Sequence, residues 1–235
     1  MFKKLVTAAV TALLMIAAAH ADEAAVKKAV EVNLEGKVDA VKKLPYLGLY
    51  EVQVGNDIVY ANESGSHIII GSIIDTKAKQ NLTQARINQI SAIKFADLPF
   101  DMAVKTVRGN GKRVLATFED PNCGYCKKLA RELQSLDNIT IYTFMIPILA
   151  ADSADKARAV WCAPDRSKAW FELMLSGTVP AAGTCDAPTD KVLALSQRLK
   201  VNGTPAIFLS NGERIPGFVP AAKLEEKLKQ IASAK

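Results

Sequence analysis

Histidine and cysteine are scarce. The 235 residues hold two histidines, His20 and His67, and four cysteines, Cys123, Cys126, Cys162 and Cys185. A structural zinc site wants four ligands, as two close cysteine pairs or as one pair with histidines. Cys162 and Cys185 are far apart in the sequence, and His20 sits in a segment expected to be removed, so no metal site and no cofactor are expected. His67 begins an apolar stretch remote from the cysteines, which leaves a cysteine–histidine hydrolase poorly supported. No Lys/Arg block with interleaved aromatics occurs, so the net charge of +6 reads as a solvated surface and excludes a nucleic-acid partner. Beyond the N-terminus no run approaches the ~18 to 20 apolar residues that cross a bilayer, so no membrane insertion is expected.

The N-terminus has the shape of an export signal. Lys3 and Lys4 precede an uncharged stretch from Leu5 to Ala19, and Ala19-His20-Ala21 fits a small-x-small cleavage pattern. Residues 1–21 are therefore read as a signal peptide cleaved after Ala21. Cleavage lowers the net charge from +6 to +4 and places the protein in an oxidising compartment, where a cysteine pair can persist as a disulfide.

The chemistry concentrates in Phe118 to Leu129, FEDPNCGYCKKL. An apolar run reading as a buried strand precedes it, and an amphipathic helix with Leu129, Leu133 and Leu136 follows. Cys123 then falls at the start of the helix, where free backbone N–H groups and the positive end of the dipole stabilise a thiolate. Lys127 and Lys128 add positive charge. Cys126, three residues on, faces the same side and can close a disulfide or attack a mixed one. That spacing leaves Cys162 and Cys185, either as a structural disulfide or as buried thiols.

The rest of the chain divides around this motif. Residues 22–77 read as a small α+β domain: a helix over Ala24–Leu34, a further helical turn or two over Val38–Leu44, then strands Leu49–Val54, Ile58–Ala61 and His67–Asp75. A unit of this size is marginal alone, which points to homodimerisation. Residues 78–97 read as a linker, with a helix over Lys77–Lys94, largely solvent-exposed. Residues 98–235 alternate strands and helices. Ala103–Val107 and Arg113–Phe118 flank the tight turn Gly109-Asn110-Gly111, and Ile139–Ile146 has the continuous apolar character of a parallel strand. Helices follow over Ser153–Leu175 and Asp190–Leu199, then a strand entered through Pro205, a hairpin at Asn211-Gly212 and a last helix over Ala221–Ala232. This order is that of a thioredoxin-like α/β fold with a helical insertion. In such a fold Thr204-Pro205 faces the cysteines as a cis peptide, against the alternative of a trans proline at a strand entrance.

Cys123-Gly124-Tyr125-Cys126, Thr204-Pro205, Trp161-Cys162 with Cys185, and the small N-terminal domain with its connector together resemble the DsbC/DsbG family of periplasmic thiol:disulfide interchange proteins. The resemblance spans nearly the whole chain. It implies a disulfide isomerase in which Cys123 is the nucleophile and Cys126 its partner. Thr204, Pro205, Gly124 and Tyr125 would contact substrate, and Cys162–Cys185 would be a structural disulfide. It further implies a V-shaped homodimer joined through the small domains, misoxidised secreted proteins as substrates, chaperone activity, and a membrane reductase of the DsbD type. The competing readings are a dithiol oxidase of the same fold and a chaperone independent of redox chemistry.

Overall fold

The computed structural model describes residues 22–233, and the chain divides between Ile90 and Ser91 into two compact units. The expected leader and its cleavage site lie outside the described residues.

In the first unit a helix, α1 (22–34), covers an antiparallel sheet of β1 (Ala40–Lys43), β2 (Tyr50–Val54), β3 (Asp57–Ala61) and β4 (Ile68–Ile69), in that order. Alternation along β2 turns Tyr50 and Val52 inward, where they meet Val26 and Val30 of the helix. Residues 40–43, expected as helix, are strand instead: Val41 pairs with Val52 and Lys43 with Tyr50. Pairing with β2 outweighs the weak helical period of so short a segment.

The apolar run His67–Asp75 is not one strand. Ile68 and Ile69 pair with β3, whereas β5 (Ile74–Asp75) pairs with β6 (Gln80–Asn81) in a separate hairpin. The helix expected over Lys77–Lys94 is accordingly shorter, α2 (Leu82–Ile90). Lys79 is left-handed (φ 53°). Asn81 Oδ1 accepts from the Gln84 N–H at 2.9 Å and so starts the helix at Leu82. Nor is α2 wet throughout. Thr83 is buried, bonded to the Tyr60 hydroxyl and to the Ile73 N–H, and Arg86 pairs with Glu51 at 2.8 Å.

The second unit is built on β7 (Val104–Arg108), β8 (Arg113–Glu119), β9 (Ile139–Met145), β10 (Ala206–Leu209) and β11 (Arg214–Pro216). They lie in the order β11-β10-β8-β9-β7, with β8 and β9 parallel and the other pairs antiparallel. Helices cover both faces. On one, Leu115, Ile141 and Ile207 pack against Leu129 and Leu133 of α3 (Gly124–Leu133) and Leu224 and Leu228 of α7 (Ala221–Ser233). On the other, Phe118 stacks on Phe144 and meets Phe208 edge-on, over Val192 and Leu195 of α6 (Thr189–Arg198). Each such buried ring contributes roughly 2 kcal/mol. This is a thioredoxin-like domain in which α4 (Ser153–Trp161), α5 (Arg166–Ser176) and α6 intervene between β9 and β10.

β7 and β8, which read as neighbours across a tight turn, are separated in the sheet by β9. Gly109 and Gly111 are left-handed, and a side chain at Gly109 would collide with Asp137 and Asn138. The turn is shaped by that intrusion: Asn138 accepts from the Asn110 N–H through its side chain and from the Arg113 N–H through its carbonyl.

Cys162, at the end of α4, is disulfide-bonded to Cys185 ahead of α6, with Cα atoms 5.7 Å apart and a sequence separation of 23. Closing that loop stabilises the fold by about 3 kcal/mol in the chain-entropy account.

Candidate active site

The cysteine pair stands where β8 hands over to α3. After Glu119 the chain turns through Asp120, Pro121 and Asn122, and Cys123 is the N-cap of the helix. Its sulfur accepts from the Cys126 N–H at 3.1 Å, occupying the place of the usual capping oxygen. Hydrogen bonding from Cys126 is the chief reason that the Cys123 pKa falls to about 6; Thr204 assists, and burial opposes. The Thr204 hydroxyl is buried without a hydrogen-bond partner, so it is available to a thiolate. Hydrogen bonds, rather than the charge of Lys127 and Lys128, therefore lead the lowering. Lys128 Nζ lies instead 4.9 Å from the Tyr125 ring centroid.

Cys126 is fully buried, and burial pushes its thiol far above the ordinary range. The two sulfurs thus differ in charge near neutrality, one a thiolate and the other a thiol. Alkylation of the reduced protein by iodoacetamide should therefore show a midpoint near pH 6 that belongs to Cys123, with Cys126 unreactive. The Cys123 value lies below the 9.0 of a free thiol, so the stabilisation it confers is complete above pH 9 and fades as pH falls through 6. A single midpoint near 8.5 would contradict this environment.

The Thr204–Pro205 peptide is cis, and the Thr204 carbonyl accepts from Cys123 Sγ at 3.4 Å. Gly124 and Tyr125 lie exposed between the cysteines, with the Tyr125 ring 6.4 Å from that of Phe218. The structure therefore brings Cys123, Cys126, Thr204 and Pro205 together at one end of the sheet. Cys162 and Cys185 are elsewhere, as a closed disulfide. Among the described residues no group of three His, Cys, Asp or Glu side chains is arranged to hold a metal ion.

Two carboxyl groups beside the cysteines escaped the sequence reading. Asp120 is buried and accepts four hydrogen bonds. Oδ1 takes the Asn122 N–H at 2.7 Å and the Ser153 hydroxyl at 2.9 Å, and Oδ2 takes the N–H groups of Ile148 and Leu149 at 2.7 and 2.9 Å. It thereby ties the turn before Cys123 to the loop after β9 and to the first residue of α4. Asn122 reinforces the tie through Asp152, Ser153 and Lys156. The available signal was Asp120 two residues ahead of Asn122, an Asx-turn pattern. Glu119 is also fully buried; neither of its carboxyl oxygens has a partner of good hydrogen-bond geometry, and burial raises its pKa to about 8, with the nearby Thr117 hydroxyl opposing.

Residues 100–232 match the thioredoxin-like domain family, and residues 17–84 match the disulfide bond isomerase protein N-terminal domain. The chain is 47% identical over 205 residues to a probable thiol:disulfide interchange protein DsbC of Bordetella pertussis, covering 87% of this chain and 73% of that protein. It is 30% identical over 217 residues to the thiol:disulfide interchange protein DsbC of Escherichia coli, covering 89% of each. Among solved structures it is similar to a disulfide interchange protein from Neisseria gonorrhoeae, with 40% identity and a TM-score of 0.55 over 57% of this chain and 97% of that one.

Proposed function

The chain belongs to the DsbC family of thiol:disulfide interchange proteins, and from that premise we propose that Cys123 and Cys126 rearrange wrong disulfides in secreted proteins of the periplasm. The observation that carries the reading is the asymmetry of the pair, an N-capping sulfur with a lowered pKa beside a buried thiol with a raised one.

Thiolate Cys123 attacks a substrate disulfide and forms a mixed disulfide, releasing one substrate thiolate. A second substrate thiol then attacks, which re-forms a substrate disulfide and frees Cys123. Alternatively Cys126 attacks Cys123 and leaves the substrate reduced. The cis Thr204–Pro205 segment would hold the substrate backbone extended beside the sulfur, with Gly124 and Tyr125 as further contacts. Cys162–Cys185 serves as a structural disulfide.

The first unit serves homodimerisation. Ile70 is 86% exposed and Ile69 and Ile74 are about half exposed, an apolar edge that a second copy would cover. Chaperone activity would rest on apolar contacts with unfolded chains, such as those that Tyr125, Ile148 and Leu149 leave open to solvent. Among the described residues no helix is long and apolar enough to cross a membrane. A membrane reductase of the DsbD type would keep the pair reduced.

The redox state of Cys123 and Cys126 in intact cells, fixed by rapid acid quench and thiol alkylation, tests this function. A mostly reduced pair is expected of an isomerase fed by a reductase. A mostly oxidised pair would make the protein a dithiol oxidase.

A further inference from the structure

Arg214 is a buried cation that the exchange scheme above does not use. It opens β11, a place where a guanidinium seldom goes unless it is bonded. Its Nη1 donates to the carbonyls of Lys200 and Leu199 at 2.9 and 3.4 Å, and its Cζ lies 5.6 Å from the centroid of the Phe208 ring. Those carbonyls stand at the negative end of α6, which offsets part of the cost of taking the charge out of water.

The helix does not need Arg214 in order to stop. Lys200 is left-handed (φ 53°), its N–H returns to the Gln197 carbonyl at 3.0 Å, and the Val201 N–H returns to the Ser196 carbonyl at 2.8 Å. That is a complete C-terminal cap, and Val201 packs with Val192 and Leu195 as the residue after such a cap commonly does. The two carbonyls that Arg214 binds lie past the last helical residue, Arg198. Their bonds therefore set where the chain beyond α6 starts relative to the sheet, not where the helix ends.

That chain leads to the sulfur. Val201, Asn202 and Gly203 join it to Thr204, whose carbonyl accepts from Cys123 Sγ at 3.4 Å. Asn202 and Gly203 are exposed, so the link is held from its two ends. β11 supplies a hold at each. Arg214 grips the root, and Gly217, the residue after the strand, donates its N–H to the Pro205 carbonyl at 2.8 Å. Arg214 itself pairs in register with Phe208, three strand positions from Pro205 and so roughly 10 Å along β10 from it.

We propose that Arg214 is a positioning residue for disulfide exchange: by tying the end of α6 to β11 it holds the Thr204–Pro205 segment where a substrate backbone can lie along it with its disulfide against Cys123. The proposal rests on the reading of Thr204 and Pro205 as the contact for substrate backbone. Arg214 touches neither substrate nor sulfur and acts through that segment alone.

The step it serves is the first exchange. The Cys123 thiolate bonds to one substrate sulfur, the substrate disulfide breaks, and the second substrate sulfur leaves as a thiolate that takes a proton from solvent. A misplacement of about 1 Å in such an approach can cost on the order of 100-fold in rate. A disulfide carried on a peptide draws on the Thr204–Pro205 contact for its placement, whereas a small disulfide without a peptide backbone does not. Loss of the Arg214 tie should therefore slow attack on the first and spare attack on the second.

The test mixes reduced full-length protein with either the symmetric disulfide of a short unstructured peptide or hydroxyethyl disulfide. Samples are quenched in acid and weighed intact, and the quantity read is the ratio of the two rates at which the mixed disulfide forms. The wild type should favour the peptide. In Arg214→Met, which keeps the length of the side chain and removes its donors, the ratio should fall about tenfold with the hydroxyethyl rate within about twofold of wild type. Arg214→Lys, whose ammonium can reach the same carbonyls, should recover most of the ratio. An unchanged ratio in Arg214→Met, or an equal fall in both rates, overturns the role of Arg214, because general damage to the domain slows both alike. A wild type that does not favour the peptide overturns instead the reading of Thr204 and Pro205 on which the role rests. Should Arg214→Met fail to fold, the same change is made on Lys200→Gly, which eases the left-handed stop, and the ratio is compared with that of Lys200→Gly alone. A tenfold fall supports the role there too, and equal ratios overturn it.

Discussion

Replacing Cys123 by alanine should abolish exchange, lowering the rate at which a scrambled disulfide protein regains its native pairing by at least ~1,000-fold. The size of the loss follows from the asymmetry of the pair. Cys126 cannot take over, because its sulfur is fully buried and its thiol pKa is raised by that burial, so almost no thiolate is present at pH 7. Alanine also removes the helix cap that Cys123 provides to the Cys126 N–H, a loss of about 1 kcal/mol in stability. Cys123→Ser separates the two effects. Its hydroxyl can keep the cap, but it does not ionise near neutrality and is a poor nucleophile toward sulfur. Serine should therefore restore most of the stability and none of the exchange. Scrambled-substrate refolding that survives in either variant would remove Cys123 from the mechanism.

Asp120→Ala should destabilise the second unit by about 3 to 5 kcal/mol, measured as the shift in urea unfolding of the oxidised protein. The carboxylate is buried and accepts from Asn122, Ile148, Leu149 and Ser153. Deleting it strands four donors, of which the Ser153 hydroxyl is in a fully buried bond and the three N–H groups in partly buried ones, and each hydrogen bond to a charged acceptor is worth roughly 1.5 to 3 kcal/mol before water and relaxation offset part of the loss. Asp120→Asn keeps the shape and one acceptor oxygen, yet turns an amide donor toward other donors, so a smaller loss of about 2 kcal/mol is expected. Exchange should suffer in both, because the turn that presents Cys123 and the Ile148–Leu149 loop are held by the same carboxylate. A loss below about 1 kcal/mol in Asp120→Ala would mean that Asn122 and Ser153 hold these segments without it.

The parts legible in the sequence were those written in local chemistry. Helix onset after Asn122, the same-side spacing of Cys123 and Cys126, and the doubly buried character of Ile139–Met145 are all short-range patterns, and the structure has them. The misreadings came where partners distant in sequence decide. Residues 40–43 have no strong period of their own and become strand only because Tyr50–Val54 lies alongside. The strands around Gly109-Asn110-Gly111 read as adjacent because nothing local reveals that Ile139–Met145 comes between them. The long helix expected from the Gly- and Pro-free run Lys77–Lys94 fails at Asn81, whose side chain caps the helix it begins. At the site itself, nothing local marks Glu119 and Asp120 as buried. Their burial depends on α3, the loop after β9 and α4 closing over them, and a one-residue change of face separates the carboxyl with four partners from the one with none of good geometry.

The central claim is that one sulfur of the pair attacks and the other waits. It is tested most directly by mixing reduced protein with a small disulfide such as oxidised glutathione, quenching in acid within milliseconds, and mapping the adduct by peptide mass. The account predicts the first adduct on Cys123, none on Cys126, and later conversion to a Cys123–Cys126 disulfide. A first adduct on Cys126, or equal labelling of the two sulfurs, would contradict it.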